Sequence, residues 1–442
     1  MSDSPFKKNC PTSSSCGSHF RPRRESVRLW HEEMPRFSCQ FRYRRGMPSS
    51  HDISFFAKTN ARLPSQRFGI RQADRLFHLY AIGKTGTGKS TLLETLVLQD
   101  IRAGRGCAVL DPHGDLVARL VKSIPEERKS HLVYLNAPDP TQPFGYNPLR
   151  RIPKDKIPLA ASGLMEAWKK LWVEAWGVRM EHILRYTLYA LLEYGEATLP
   201  DILHLLSDIG YRQEVIARVT NEQVRAFWLS EFPKYNQRYR QETIAPIQNK
   251  VGAFLADPRL YRMLVEPKVD VRFRRVMDEG RILLVNLGKG ELGEDSANLL
   301  GSLLVTTLSL AAFSRAELPL SARRPFFIYV DEFQSFTTLS FAGTISELRK
   351  YGIGLVLANQ HLHQLEPAVL HAVLGNVGTV ITFRLGPEDA VFFEKLFAPR
   401  LDASDLMRLA NHDIYLRLMI DQSPSEPFSA TTLQPEDPCL YS

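Results

Sequence analysis

Short apolar runs rich in β-prone residues alternate along this chain with segments whose apolar positions fall three and four apart. FHLYAI (77–82), CAVLDPHGDL (107–116), HLVYLN (131–136), RILLVNL (281–287), FFIYVDE (326–332), IGLVLANQ (353–360), GTVITFR (378–384) and DIYLRLMID (413–421) read as strands. STLLETLVLQDI (90–101), SANLLGSLLVTTLSLAAFS (296–314), ISELRKYG (345–352) and PEDAVFFEKLF (387–397) read as helices. The alternation predicts an α/β fold, with a mostly parallel sheet and helices on both faces.

Two stretches break the alternation. Between 158 and 264 the pattern is helical almost throughout, in EAWKKLWVEAW, RMEHILRYTLYALLEYG and TLPDILHLLSDIG. Gly195 and Gly210 punctuate helix ends, and Leu199-Pro200-Asp201 restarts one. With no clear strand there, 158–264 reads as an all-α domain inserted between core parts 67–157 and 265–421. Residues 1–60 show neither period and read as a basic, disordered segment. The last stretch, 422–442, holds four prolines and reads as a flexible tail.

Composition narrows the class. The 442 residues are 44% hydrophobic and 24% charged, which excludes whole-chain disorder, collagen-like repeats and a disulfide scaffold. Five cysteines point to a reducing compartment, and Cys10, Cys16 and Cys39 have no zinc-ligand spacing. The twelve histidines show no HExxH pattern, so no metal beyond Mg²⁺ is expected. Formal net charge is +8, but Met1–Leu76 alone carries +9 and the remainder −1. The basic signal therefore belongs to the N-terminal segment. There Arg21, Arg23, Arg24, Arg42, Arg44 and Arg45, with Phe41 and Tyr43 interleaved, suit either phosphate backbones or an unpartnered tail. Met47 is a candidate alternative start.

No secretory signal is apparent, and Asp3, Glu25, Glu32 and Glu33 argue against a transit peptide. The longest apolar run, Asn298 to Ser314, holds Ser, Thr and Gly and reads as a buried helix. The chain is expected to be cytoplasmic.

Gly83-Lys84-Thr85-Gly86-Thr87-Gly88-Lys89-Ser90 satisfies the P-loop pattern and lies between a strand and a helix, the context that pattern requires. Its backbone N–H groups converge on phosphate, assisted by the helix dipole. Lys89 is assigned to the β- and γ-phosphates and Ser90 to Mg²⁺, with Thr91 next to it in the nucleotide site. Asp331, after a buried strand, is the second Mg²⁺ group, and Glu332 polarises the attacking water. Gln360 is either a γ-phosphate sensor or a solvent-facing strand end. Arg349 is either a solvated helix charge or an arginine finger reaching a neighbouring subunit.

The phrases GKTGTGKSTLLE, VLDPHGDL, YNPLR, VDEFQSF, LRKYG, ANQ and FRLGPEDA, in this order, resemble the HerA–FtsK group of P-loop ATPases. Within it they look most like the TraG/TraD kind of type IV secretion coupling protein, over about residues 67–420. The resemblance implies a RecA-like ATPase core with an all-α insertion at this place, ATP and Mg²⁺ as cofactors, and a homo-oligomer, a hexamer. It implies DNA as the translocated partner and a relaxosome or membrane secretion-system partner, which would place the chain peripherally at the inner membrane. It assigns Lys89, Ser90, Asp331, Glu332 and Gln360 to the ATPase motifs. It favours Arg349 as the trans finger, with Arg384 second. Asp111 and His113 fall in a shared motif, where a turn-forming role is equally open. Full coupling proteins carry N-terminal transmembrane helices, and none is read here. The alternatives are a HerA-like DNA-processing translocase, a secretion ATPase acting on protein subunits, and a nucleotide-gated adaptor. Trp168, Trp172 and Trp176, spaced i, i+4, i+8, suggest one helix face, for core packing or for stacking of bases.

Overall fold

The computed structural model describes residues 53–61, 64–172 and 176–437. The N-terminal arginine cluster, Cys10, Cys16, Cys39 and Met47 lie outside the described residues. An 11-stranded sheet organises the rest. Its strands are β1 (Ile53–Thr59), β2 (Arg67–Arg71), β3 (Leu79–Ile82), β4 (Gly106–Asp111), β5 (Leu132–Asn136), β6 (Ile282–Asn286), β7 (Phe326–Val330), β8 (Ile353–Asn359), β9 (Thr379–Thr382), β10 (Asp413–Arg417) and β11 (Phe428–Thr432). The order across the sheet is β2-β1-β11-β10-β9-β3-β8-β7-β4-β6-β5.

From β9 to β5 all pairings are parallel. Helices cover both faces of such strands, so the central ones read as near-continuous apolar runs. Every residue of β7 and β8 is buried. The helices used below are α1 (Lys89–Arg102), α2 (Asp115–Lys122), α3 (Ile157–Leu171), α4 (Val178–Tyr194), α5 (Gln237–Leu255), α6 (Glu294–Ser314), α7 (Leu339–Leu348) and α8 (Pro387–Phe397). One helical stretch, Glu294–Glu317, is long and apolar enough to cross a membrane, but 67% of its apolar window is buried inside the protein. It is the core helix the sequence suggested.

The other end of the sheet differs from expectation. β10, β11, β1 and β2 extend it by antiparallel pairing. Thus β1 forms within the segment read as disordered, and β11 within the tail read as flexible. Burial along β1 alternates up to a bulge between Phe55 and Ala57, and the strand lies between β2, next to it in sequence, and β11, more than three hundred positions away. The strand expected over 413–421 ends at Arg417. A short hairpin follows (Met419–Ile420 with Ser423–Pro424), turning at Asp421 and Gln422, both at positive φ. Asp74 accepts both of their backbone N–H groups.

Between Lys154 and Leu264 every regular element among the described residues is helical, with α3, α4 and α5 the longest. The tryptophan stripe does not survive intact. Helix α3 ends at Leu171, so Trp172 only caps it and Trp176 lies beyond. Trp168 is buried and stacks on Trp172, with ring centroids 6.4 Å apart, whereas the Trp176 indole N–H donates to Glu181 (2.7 Å).

Candidate nucleotide site

Strand β3 runs in register with both neighbours, Ile82 opposite Asn359 of β8 and Thr382 of β9. The chain leaves all three strands at one edge of the sheet. Gly83 starts the loop there, packed so closely that a Cβ would lie 2.5 Å from Cβ of Phe383. Gly86 and Gly88 take φ of 75° and 120°, which L side chains rarely adopt. Thr87 Oγ1 donates to the Lys84 carbonyl at 2.7 Å, closing the loop on itself. Lys84, Thr85 and Gly86 form its exposed tip, and α1 begins directly behind it at Lys89.

The Lys89 ammonium is folded into this loop, donating to the carbonyls of Gly83 (2.5 Å) and Lys84 (3.0 Å). Burial lowers its pKa, with Asp331 and Glu332 opposing the shift. Ser90 Oγ lies 3.4 Å from Oδ2 of Asp331, which brings a hydroxyl from the loop and a carboxylate from the end of β7 together. Hard oxygen donors of this kind suit Mg²⁺. Burial, then the nearby Asp111 and Glu332, push the Asp331 carboxyl up to about 6, while Lys89 pulls it down.

Glu332 adopts the left-handed conformation, φ 45° and ψ 50°. Its side chain is held from two sides. Gln360 Nε2 donates to Oε1 at 2.5 Å, and His113 Nε2 lies 3.3 Å from Oε2. Gln360 in turn accepts from Thr85 Oγ1 at 2.9 Å. A hydrogen-bonded path therefore runs from the loop tip through the amide to the carboxylate. Thr91 follows Ser90, half-buried in the first turn of α1.

Asp111 turns inward as a local cap, accepting from the backbone N–H of His113 (2.9 Å) and of Val117 (3.0 Å). The turn Asp111 forms is what aims His113 at Glu332. Sequence alone assigned His113 no chemistry, and no local signal could have, because Glu332 is more than two hundred residues away. His412 and Phe383 were missed as well. The His412 backbone N–H donates to Thr87 O (2.8 Å), and its ring lies against Gly88.

Arg349 is not brought to this loop. It precedes β8, at the opposite edge of the sheet from Gln360, a strand length of about 20 Å away. Its guanidinium lies 3.3 Å from the Phe77 ring centroid. Arg384 is close: its carbonyl accepts from Lys84 N (3.0 Å) and its guanidinium donates to Asn411 Oδ1 (3.1 Å) and Leu409 O (3.3 Å).

A family model for the type IV secretion-system coupling protein DNA-binding domain matches residues 288–395. The structure is similar to the bacterial conjugative coupling protein TrwBΔN70 in its unbound form, with TM-score 0.60 and 17% identity over 84% of this chain and 87% of that one. It is similar to TrwB in complex with ADP and Mg²⁺, with TM-score 0.59 and 16% identity over 84% and 87%. VirB4 of Thermoanaerobacter pseudethanolicus matches with TM-score 0.59 and 14% identity over 88% and 98%. No curated protein matches the sequence. The fold is thus the RecA-like P-loop NTPase fold.

Proposed function

We propose that this chain is a P-loop ATPase that couples hydrolysis to movement of DNA in conjugative transfer or type IV secretion. The observation that carries the reading is the convergence of Lys89, Ser90, Asp331, Glu332 and Gln360 at one sheet edge. Bound Mg²⁺-ATP supplies the phosphoryl group and the cation that neutralises its charge. Lys89 would exchange its carbonyl partners for phosphate oxygens, and Ser90 and Asp331 would hold the metal. Glu332 takes the proton of the attacking water, oriented by Gln360 and His113. DNA as substrate rests on the match to a coupling-protein DNA-binding domain at 288–395 and on the likeness to TrwB. In the same reading the protein assembles as a hexamer, and Arg349 reaches the site of a neighbouring subunit.

Hydrolysis by the purified full chain, measured with and without DNA at low salt, tests this. Turnover should rise with DNA and vanish in Lys89→Ala and Glu332→Gln. DNA that neither binds nor stimulates sinks the DNA-motor reading and leaves an ATPase acting on protein. Mixing Arg349→Ala with Lys89→Ala subunits should restore part of the activity, and no recovery removes Arg349 from the trans role.

A further inference from the structure

Helix α3 lies outside the α/β alternation, yet two of its side chains reach the loop that follows Glu332. The Lys170 ammonium donates to the main-chain carbonyls of Gln334 and Thr337, the latter at 2.8 Å. One turn earlier, Glu166 Oε2 accepts from the Ser340 backbone N–H at 2.5 Å. Residues four apart share a helix face, so a single face of α3 clamps both ends of the segment 334–340.

That segment begins two residues after the carboxylate proposed as the base. Glu332 is held at positive φ by the turn it opens, in which Ser335 N donates to Glu332 O at 3.0 Å. A non-glycine residue keeps such a conformation only where its surroundings enforce it. The Gln334 side chain does not do this, since its Oε1 is buried without a donor among the described residues. The clamp comes from α3 on one side and α6 on the other. Phe336 packs on Gly301 of α6 so tightly that a Cβ there would lie 2.2 Å from its ring. Helix α3 is seated on α6 in the same way, with a Cβ at Gly163 reaching within 2.5 Å of Thr306 Cγ2. Burial lowers the Lys170 pKa to about 8, the field of Glu366 opposing it. An ammonium partly desolvated to hold two carbonyls is a costly way merely to pack a helix, where an apolar side chain would serve.

We propose that Lys170 and Glu166 are positioning residues for Glu332, and that through them α3 couples the helical segment to ATP hydrolysis. The proposal rests on the ATPase reading above. A shift of α3 displaces the Gln334 carbonyl and with it the turn that aims Glu332 at its water. Misplacement of a reacting group by about 1 Å costs on the order of 100-fold in rate.

The test uses the full chain and three variants, Lys170→Met, Lys170→Arg and Glu166→Leu. Lys170→Met should lower kcat by about 10- to 100-fold while KM for ATP and the affinity for a fluorescent ATP analogue stay within about threefold. Lys170→Arg, which keeps the donors, should recover most of the loss, and Glu166→Leu should lower kcat in the same sense. A second measurement needs no turnover. On adding Mg²⁺ and a non-hydrolysable ATP analogue, amide exchange should slow together in 333–340 and 157–171 of the wild type, and only in 333–340 of Lys170→Met. Unchanged kcat in Lys170→Met, parallel loss of kcat and nucleotide affinity, or identical exchange responses in both proteins overturn the proposal. A wild type that neither binds nor hydrolyses ATP overturns the ATPase reading first.

Discussion

His78 sits at the entrance to β3, the strand that carries the nucleotide loop. It is 2% exposed. Its Nδ1 accepts from the Leu355 backbone N–H of β8 at 3.1 Å, and Nε2–H donates to Ile345 O of α7 at 3.0 Å. Both ring nitrogens are thus committed in the neutral tautomer. Protonation would place a second N–H against the Leu355 N–H inside the core. Burial is the main cause that pushes the His78 pKa down to about 4, and the charge of Arg349 adds to it, against the hydrogen bond to Ile345. In the unfolded chain the same imidazole titrates near 6.5. Between these values the unfolded state binds a proton that the folded state refuses, so stability is full above pH 6.5 and falls as the pH drops toward 4. At about 1.4 kcal/mol per pKa unit the whole loss is about 3 kcal/mol, of which about 2 kcal/mol is gone by pH 5. Urea unfolding of wild type and His78→Gln at pH 7.5 and pH 5 isolates this term, since other titrating groups are common to both. The variant should be the less stable at pH 7.5, through its lost packing and hydrogen bonds. The gap should narrow by about 2 kcal/mol at pH 5. A gap that is the same at both pH values refutes the assignment of a neutral, doubly bonded His78.

Other expectations concern the loop and the sheet beneath it. Gly88→Ala puts a Cβ 2.8 Å from His412 Nδ1 at a φ of 120°, whereas Gly86→Ala meets nothing within 4 Å. Nucleotide affinity, read by titration calorimetry, should therefore fall at least about tenfold for Gly88→Ala and far less for Gly86→Ala, whose cost is the backbone strain of about 1–2 kcal/mol. Gln360→Ala removes one of the two groups holding Glu332 and should lower kcat by about 10- to 100-fold with little change in KM, measured by steady-state phosphate release. Asp100 is fully buried and accepts from Arg75 (2.7 and 2.8 Å), Arg105 (2.7 Å) and Tyr329 (2.6 Å). Asp100→Leu strands two guanidinium groups and should cost about 3–5 kcal/mol in denaturant unfolding. Tyr329→Phe should cost about 1.5–3 kcal/mol.

The parallel half of the sheet was legible because burial on both faces leaves a local trace. FFIYV and IGLVLAN are buried at every position, and all but Gly354 and Asn359 carry aliphatic or aromatic side chains. The antiparallel half left little. FSATT has two small polar residues at partly exposed positions, and its strand exists because Asp413–Leu416 and Ala57–Thr59 flank it on either side. The pairing with Ala57–Thr59 joins residues more than three hundred positions apart, which no window along the sequence contains. The tryptophan spacing misled for the reverse reason. A regular interval is consistent with a helix face, but a helix ends where its caps and packing dictate, here at Leu171.

The nucleotide site divides along the same line. A phosphate loop needs backbone freedom at fixed positions, so its glycines, lysine and serine are written consecutively, and the acidic pair is written at the end of one strand. What shapes and steers these groups is not consecutive. Phe383 leaves β9 and limits the space at Gly83, and His412 precedes β10 and fills the space at Gly88. Because β10 pairs antiparallel with β9, its first residues return to the edge at which β3 ends. The same topology that hid the antiparallel strands from a local pattern thus delivers His412 to the loop. Gln360 and Thr85 meet because β8 and β3 are neighbours in register, although 275 positions separate them. Strand order therefore decides which polar residues can act on Glu332. A substitution that shifts the β7–β8 register should consequently uncouple Gln360 from Glu332 even with every motif residue intact.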